Sequence, residues 1–190
     1  MSDLVVLIPG LGYTCERPLL HYAKTLAKEA GFDDIMPLTF KKVDKTGLQG
    51  NAEKMKEVYL ELFEMAKESL AEVEWEKYDN ILFVSKSIGT IVATSYEQLL
   101  RTSSKELPPI KHILFTPLEQ TFLFPSVNGI AFIGTSDPWS DTSKVISLSE
   151  NKNIPIHVYE GANHSLETGN TFKDLEILTD VLNKCKDFLS

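Results

Sequence analysis

The chain has 190 residues, 43% of them apolar, and a formal net charge of −8. That length supports one domain with a sizeable core and is too short for two full ones. The composition is globular and not disordered, and the acidic balance argues against nucleic acid or an anionic membrane surface as partner, because both demand a basic excess.

Leu4 to Ile8 is an apolar run that predicts a buried strand, ended by the loop Pro9-Gly10-Leu11-Gly12. Pro18 suits the first turn of a helix whose apolar positions 19, 20, 23, 26, 27 and 30 form one stripe, and Gly31 can stop it in the left-handed conformation. Ile35 to Phe40 reads as a second strand; Pro37 cannot donate to a ladder and assigns it to a sheet edge. A polar loop leads to a long helix from about Asn51 to Glu72, with Ala52, Met55, Tyr59, Leu62, Ala66 and Leu70 on one side. Ile81 to Val84 is a third, doubly buried strand, and apolar residues then return at 88, 91, 92, 96 and 99 with helical spacing. Ile110 to Phe115, Gly129 to Ile133 and Ile154 to Tyr159 are the remaining strands, the last with Pro155 near its start; no element is read between the fifth and the sixth. Thr171 to Leu189 closes the chain as a helix with a stripe of Leu175, Leu178, Leu182, Cys185 and Leu189.

Strands alternating with helices predict a three-layer, doubly wound parallel sheet of about six strands. The order 2-1-3-4-5-6 puts the two Pro-bearing strands at the edges. Its switch point then lies between strands 1 and 3, beyond whose carboxyl ends ligands of such sheets bind. The loops there are Pro9 to Gly12 and Ser85-Lys86-Ser87-Ile88-Gly89. The second is a tight turn between strand and helix with small residues around its apex, Ser87. Lys86 beside it is read as an exposed residue.

A serine becomes a nucleophile only when a base takes its proton and an acid orients that base. Of the four histidines, His21 lies on the first helix, His112 at the start of the fourth strand and His157 inside the sixth. Only His164 follows a strand, in Gly161-Ala162-Asn163-His164-Ser165. Asp137, in Gly134-Thr135-Ser136-Asp137-Pro138 after the fifth strand, is the candidate acid, with Glu119 after the fourth strand as its rival and Asp141 a lesser one.

The elbow around Ser87 resembles the G-x-S-x-G turn of the α/β-hydrolase superfamily, with Ser85 replacing the first glycine. The chain order Ser87, Asp137, His164 is also that of the superfamily, and the likeness runs from Leu4 to Leu189. The resemblance implies a minimal α/β-hydrolase fold without a cap domain, because only about a dozen residues separate Phe115 from Gly129. It implies a serine hydrolase of carboxylic esters or thioesters in which Ser87 attacks, His164 is the base and Asp137 orients it. The amides of Leu11 and Ile88 are the candidate oxyanion donors. Gly10, Tyr13, Phe122 and Trp139, with Phe124, fall on loops at the same rim and are candidates for an apolar substrate pocket.

The expected partner is a small acyl ester, with no cofactor and no metal. Cys15 and Cys185 offer neither a disulfide framework nor metal-ligand spacing, Cys15 reading as a small residue at a helix start and Cys185 as core. The N-terminal segment lacks a signal peptide's basic start, and no run approaches the roughly 20 apolar residues of a membrane span, so a cytoplasmic location is expected. Two other functions compete. Gly10-Leu11-Gly12-Tyr13-Thr14-Cys15 matches a dinucleotide-binding G-x-G-x-x-G only in its first two glycines. A binding or scaffold protein could keep the fold without the chemistry, and the same residues could instead transfer the acyl group to another acceptor.

Overall fold

Six apolar segments form one parallel sheet in the computed structural model, which describes residues 2–44, 46–103, 106–125 and 127–190. The strands are β1 (Ser2–Ile8), β2 (Asp34–Pro37), β3 (Tyr78–Lys86), β4 (Ile110–Phe115), β5 (Asn128–Gly134) and β6 (Ile156–Tyr159), in the order β2-β1-β3-β4-β5-β6. Every neighbouring pair is parallel. Both faces are covered, so the central strands read as unbroken apolar runs instead of alternating ones. Both edges of the sheet carry a proline. Pro37 closes β2 and faces Leu7, while Pro155 lies just before β6 and only accepts, its carbonyl taking the Ala131 amide at 2.8 Å.

The helices are α1 (Pro18–Glu29), α2 (Ala52–Ser69), α3 (Ile88–Ser103), α4 (Thr142–Asn151) and α5 (Thr171–Leu189). Side-chain alternation along each strand sorts them into two layers. Val5, Leu7, Leu82, Val84, Ile113 and Phe132 pack with α1 and α5 on one face. Leu4, Val6, Ile8, Ile81 and Phe83 pack with α2 and α3 on the other, where Leu114, Ala131 and Ile133 meet Val145 of α4. The sheet with helices on both faces and this strand order is the doubly wound α/β-hydrolase arrangement.

Local chemistry fixes the helix ends. Asn51, Asp141 and Asn170 cap α2, α4 and α5, each side chain accepting the amide three residues on at 3.0 to 3.2 Å. The first helix stops as expected at Gly31 (φ +100°). The Phe32 amide reaches back to the Ala27 carbonyl at 3.0 Å, and that of Gly31 to Lys28 at 3.1 Å, the paired bonds of a Schellman end.

Besides the strand bounds, where β2 stops at Pro37 instead of Phe40 and β6 begins at Ile156 instead of Ile154, three local expectations change. An unexpected helix, α4, fills the stretch between β5 and β6; serines dilute its apolar pattern, yet Ser149 is fully buried and donates its hydroxyl to the Ile154 carbonyl at 2.8 Å. The stripe of α2 runs through Val58, Leu62, Ala66 and Leu70, leaving Ala52 exposed. That of α5 runs through Ile177, Val181 and Cys185, leaving Leu175 outside. In both helices several faces carry apolar residues, so spacing alone picks the wrong edge of the stripe.

Candidate active site

The site is assembled at the carboxyl ends of β1, β3, β5 and β6, on either side of the switch point. Ser87 sits between β3 and α3 with φ +58°, a left-handed conformation that a non-glycine residue holds only when its surroundings enforce it. Its amide donates to the Phe115 carbonyl at 2.9 Å, and its carbonyl accepts from the Thr90 amide at 2.9 Å and the Thr90 hydroxyl at 2.6 Å. Small neighbours permit the turn. A Cβ on Gly89 would fall 2.5 Å from the Pro9 carbonyl oxygen and 2.6 Å from that of Ile8, so the start of α3 meets the end of β1 backbone to backbone. A Cβ on Gly10 would fall 3.0 Å from that of Ser87. Ser85 fills the first-glycine position: it is fully buried and its hydroxyl donates to the Ile113 carbonyl at 3.5 Å.

His164 and Asp137 arrive on adjacent loops. Gly134, the last residue of β5, lies directly against the Ala162 carbonyl, with no room for a side chain, and the Ser136 amide donates to that same carbonyl at 2.9 Å. These contacts tie the β5 loop to the β6 loop. Asp137 is held from both oxygens: Oδ1 accepts the Trp139 amide at 2.9 Å, and Oδ2 accepts from His164 Nδ1 at 2.7 Å. On the far side of the ring, the Ser87 hydroxyl donates to His164 Nε2 at 2.7 Å. The tautomer is the one this network assigns, with the ring proton on Nδ1. Asn163 braces the loop, its side-chain oxygen accepting the Ser165 amide at 2.7 Å and that of Glu167 at 3.2 Å.

The Asp137 side chain is removed from solvent and that of His164 is 17% exposed. Burial is the largest influence on the imidazole and holds its pKa below the ordinary value. The Asp137 hydrogen bond pulls it upward, and the nearby Lys86 charge lowers it. A neutral imidazole, oriented by a carboxylate and bonded to a serine hydroxyl, is poised to accept that hydroxyl's proton.

A cavity of about 80 Å³ opens on this constellation, lined by Leu11, Leu48, Met55, Ser87, Ile88, Leu118, Trp139 and His164. Leu11 and Ile88 thus line the cavity beside Ser87. As the first residue of α3, Ile88 carries one of the helix's N-terminal amides that have no intrahelical acceptor. Trp139 stands with its ring centroid 5.9 Å from that of His164. Leu48, Met55 and Leu118 are not marked as site residues by the sequence, where Met55 reads only as part of a helix stripe, since leucine and methionine carry no chemical signature.

Three expected pocket residues lie elsewhere, and one of them, Phe124, lines a separate groove with Tyr59, Ile91 and Leu123. Phe122, in the short 3-10 turn Glu119–Leu123, is buried with Val127, Ala131 and Val145 beneath α4. Tyr13 is buried on the opposite face, in the cluster with α1 and α5, and its hydroxyl accepts the Leu19 amide at 3.0 Å. Glu119 does not approach His164; it accepts the Asp141 amide at 2.9 Å, and Asp141 is occupied as the α4 cap. Lys86 is not exposed: it is 1% accessible and donates to the His164 carbonyl at 2.7 Å and the Thr116 hydroxyl at 3.0 Å. Strand alternation could have flagged it, because Leu82, Val84 and Lys86 share one buried face.

The other histidines are engaged elsewhere: His21 meets the Tyr22 ring edge-on, His112 Nε2 bonds to Glu97 at 2.7 Å and His157 stacks on Phe132. The features of a dinucleotide site are missing at β2, whose acid, Asp34, stands at its amino end, away from the rim. Among the described residues no group of three or more His, Cys, Asp or Glu could hold a metal ion, and no helix is long and apolar enough to cross a membrane.

Solved structures share this architecture. An α/β serine hydrolase homologue from Coxiella burnetii is 16% identical, with a TM-score of 0.62 over 96% of this chain and 84% of that one. An esterase from Pyrococcus furiosus is 12% identical, with a TM-score of 0.61 over 99% of this chain and 82% of the other. A Xanthomonas campestris α/β serine hydrolase without a lid is 13% identical, with a TM-score of 0.57 over 98% and 82%. No protein-family model and no curated protein matches the chain. The fold is therefore that of the α/β hydrolases that lack a cap.

Proposed function

We propose that the protein is a serine hydrolase of small carboxylic esters or thioesters, working through Ser87, His164 and Asp137. The observation that carries this reading is the unbroken pair of 2.7 Å hydrogen bonds from Ser87 through His164 to Asp137, with the serine at a positive-φ strand-to-helix turn. The serine hydrolase and esterase that share the fold are in keeping with it.

In this mechanism Ser87 Oγ attacks the acyl carbon as its proton passes to His164 Nε2. Asp137 stays ionised, holds the Nδ1 proton and stabilises the imidazolium. The oxyanion is met by the amides of Leu11 and Ile88, each donor contributing roughly 3 to 4 kcal/mol to the barrier reduction. The alcohol or thiol leaves with the Nε2 proton. Water then attacks the acyl-enzyme, giving its proton to Nε2, and the carboxylic acid departs as Ser87 recovers its own. Leu11, Leu48, Met55, Leu118 and Trp139 make the cavity apolar, and its volume of about 80 Å³ suits a short acyl group.

The test is turnover of p-nitrophenyl acetate and butyrate, and of a short acyl thioester, by the wild type and by Ser87→Ala. The expected result is hydrolysis that falls by at least about 10⁴-fold in the variant. Turnover that survives the substitution, or none in a folded wild type, overturns the proposal. In the second case the fold serves as a binding scaffold.

A further inference from the structure

Lys86 precedes Ser87 and is almost wholly removed from water. It continues the row Leu82, Val84 on the face covered by α1 and α5, so its stem extends an apolar surface while its head ends beneath the rim. Three partners receive that head. Nζ donates to the His164 carbonyl at 2.7 Å and to Thr116 Oγ1 at 3.0 Å, and it lies 4.7 Å from the centre of the Tyr13 ring. An ammonium has three protons, and here each has an acceptor, two oxygens and an aromatic face.

Each partner belongs to a different loop. Thr116 follows β4 in a left-handed conformation (φ +43°), its amide donating to the Phe132 carbonyl at 2.7 Å. Tyr13 lies two residues beyond Leu11 and is anchored by the Leu19 amide. His164 is the base itself. One buried cation thus joins the loop of the base to the loop carrying a candidate oxyanion donor.

We propose that Lys86 is a positioning residue of the Ser87 site, whose ammonium fastens the His164 loop to the Thr116 and Tyr13 loops. The inference rests on the reading of Ser87, His164 and Asp137 as a catalytic triad. The ionisable groups around Lys86 are consistent with it. Asp137 faces it from the loop after β5 and Glu167 from the His164 loop, both favouring its charged form. Arg17 lies over the Tyr13 ring at 5.9 Å, and burial pushes the Tyr13 phenol up to about 12, so that ring stays neutral. Burial outweighs the two carboxylates and brings the Lys86 pKa down to about 7. The Lys86 charge in turn opposes protonation of His164. Above neutrality the amine keeps two protons for three acceptors and loses its charge, and the fastening weakens.

The test is Lys86→Met, which keeps the stem and removes donors and charge, read by NMR titration of the His164 ring and by the pH profile of ester hydrolysis. The expected kcat is lower by roughly 10- to 100-fold, as for a base displaced by a fraction of an ångström, with little change in KM because Lys86 does not line the cavity. His164 should titrate at higher pH than in the wild type, and the alkaline limb should disappear. Glu167→Gln leaves Lys86 and its packing in place at an exposed position, and should move the alkaline limb to lower pH while leaving the plateau kcat unchanged. A folded Lys86→Met whose His164 titrates as in the wild type overturns the inference, as does a Glu167→Gln whose alkaline limb stays where it was. The NMR titration separates this idea from the hydrolase reading. A wild type that cleaves no ester removes that reading, while a shifted His164 titration in Lys86→Met still supports the link between the two side chains.

Discussion

Replacing Gly134 by alanine tests how the site is assembled without touching any reacting group. A Cβ at this position falls against the Ala162 carbonyl oxygen and 2.5 Å from its carbonyl carbon. Carbon atoms rest at about 3.5 Å or more, so the β5 and β6 loops must part by about 1 Å. Ala162 is two residues from His164, and Ser136, whose amide bonds to the same carbonyl, is next to Asp137. The displacement is therefore delivered to the 2.7 Å bond between His164 and Asp137, which does not survive such an extension. A misplacement of that size costs about 100-fold in rate, equivalent to roughly 2.7 kcal/mol of barrier. Overpacking should also lower stability by about 1 to 3 kcal/mol. The assay is kcat/KM for p-nitrophenyl acetate together with the unfolding midpoint, for Gly134→Ala beside the wild type. A folded Gly134→Ala protein with wild-type kcat/KM would refute the idea that contact between these loops sets the geometry of Ser87, His164 and Asp137.

Three further outcomes follow from individual groups. Glu97 accepts His112 Nε2 at 2.7 Å and Arg101 Nε at 2.7 Å inside the core, so Glu97→Ala, which strands His112, should destabilise by roughly 3 kcal/mol in urea unfolding while leaving kcat/KM for the ester within about two-fold. Its folded pKa being depressed, His164 takes up a proton less readily in the native state than in the unfolded chain. Stability should therefore be full above about pH 6.5 and fall as pH drops through the folded pKa, and kcat/KM should follow the same acid limb; a limb at or above the ordinary histidine value contradicts this. Burial pushes the Cys15 thiol up to about 11, and its Sγ donates to the Leu38 carbonyl at 3.5 Å, so native protein at pH 7.5 should resist iodoacetamide at Cys15 and become alkylated on unfolding, as intact mass will show.

Much of this arrangement is legible in the residues because backbone chemistry leaves few options. Pro37 and Pro155 mark the sheet edges, the apolar runs mark the doubly covered strands, and β4 and α5 begin and end where their patterns do. The same logic narrows the rim to a few loops, and the residues drawn together there, Ser87, Asp137 and His164, are the types that a strand-end nucleophile needs. What escapes the sequence is what depends on facing direction. Phe122 and Tyr13 lie on rim loops yet turn into the core, one on each side of the sheet. Lys86 looks like a surface charge until three loops close over it, and Ser149 hides a helix because its hydroxyl finds a carbonyl that no local pattern announces. Gly134 carries no chemistry at all, and its importance is visible only from the carbonyl lying against it.

The most direct test of the central claim is intact mass after exposure to a fluorophosphonate, for the wild type and for Ser87→Ala. Such a reagent bonds a serine only where a base has activated it and donors receive the phosphoryl oxygen. One adduct is expected on the wild type and none on the variant. A folded wild type that takes up no adduct, or a Ser87→Ala protein that still does, contradicts it.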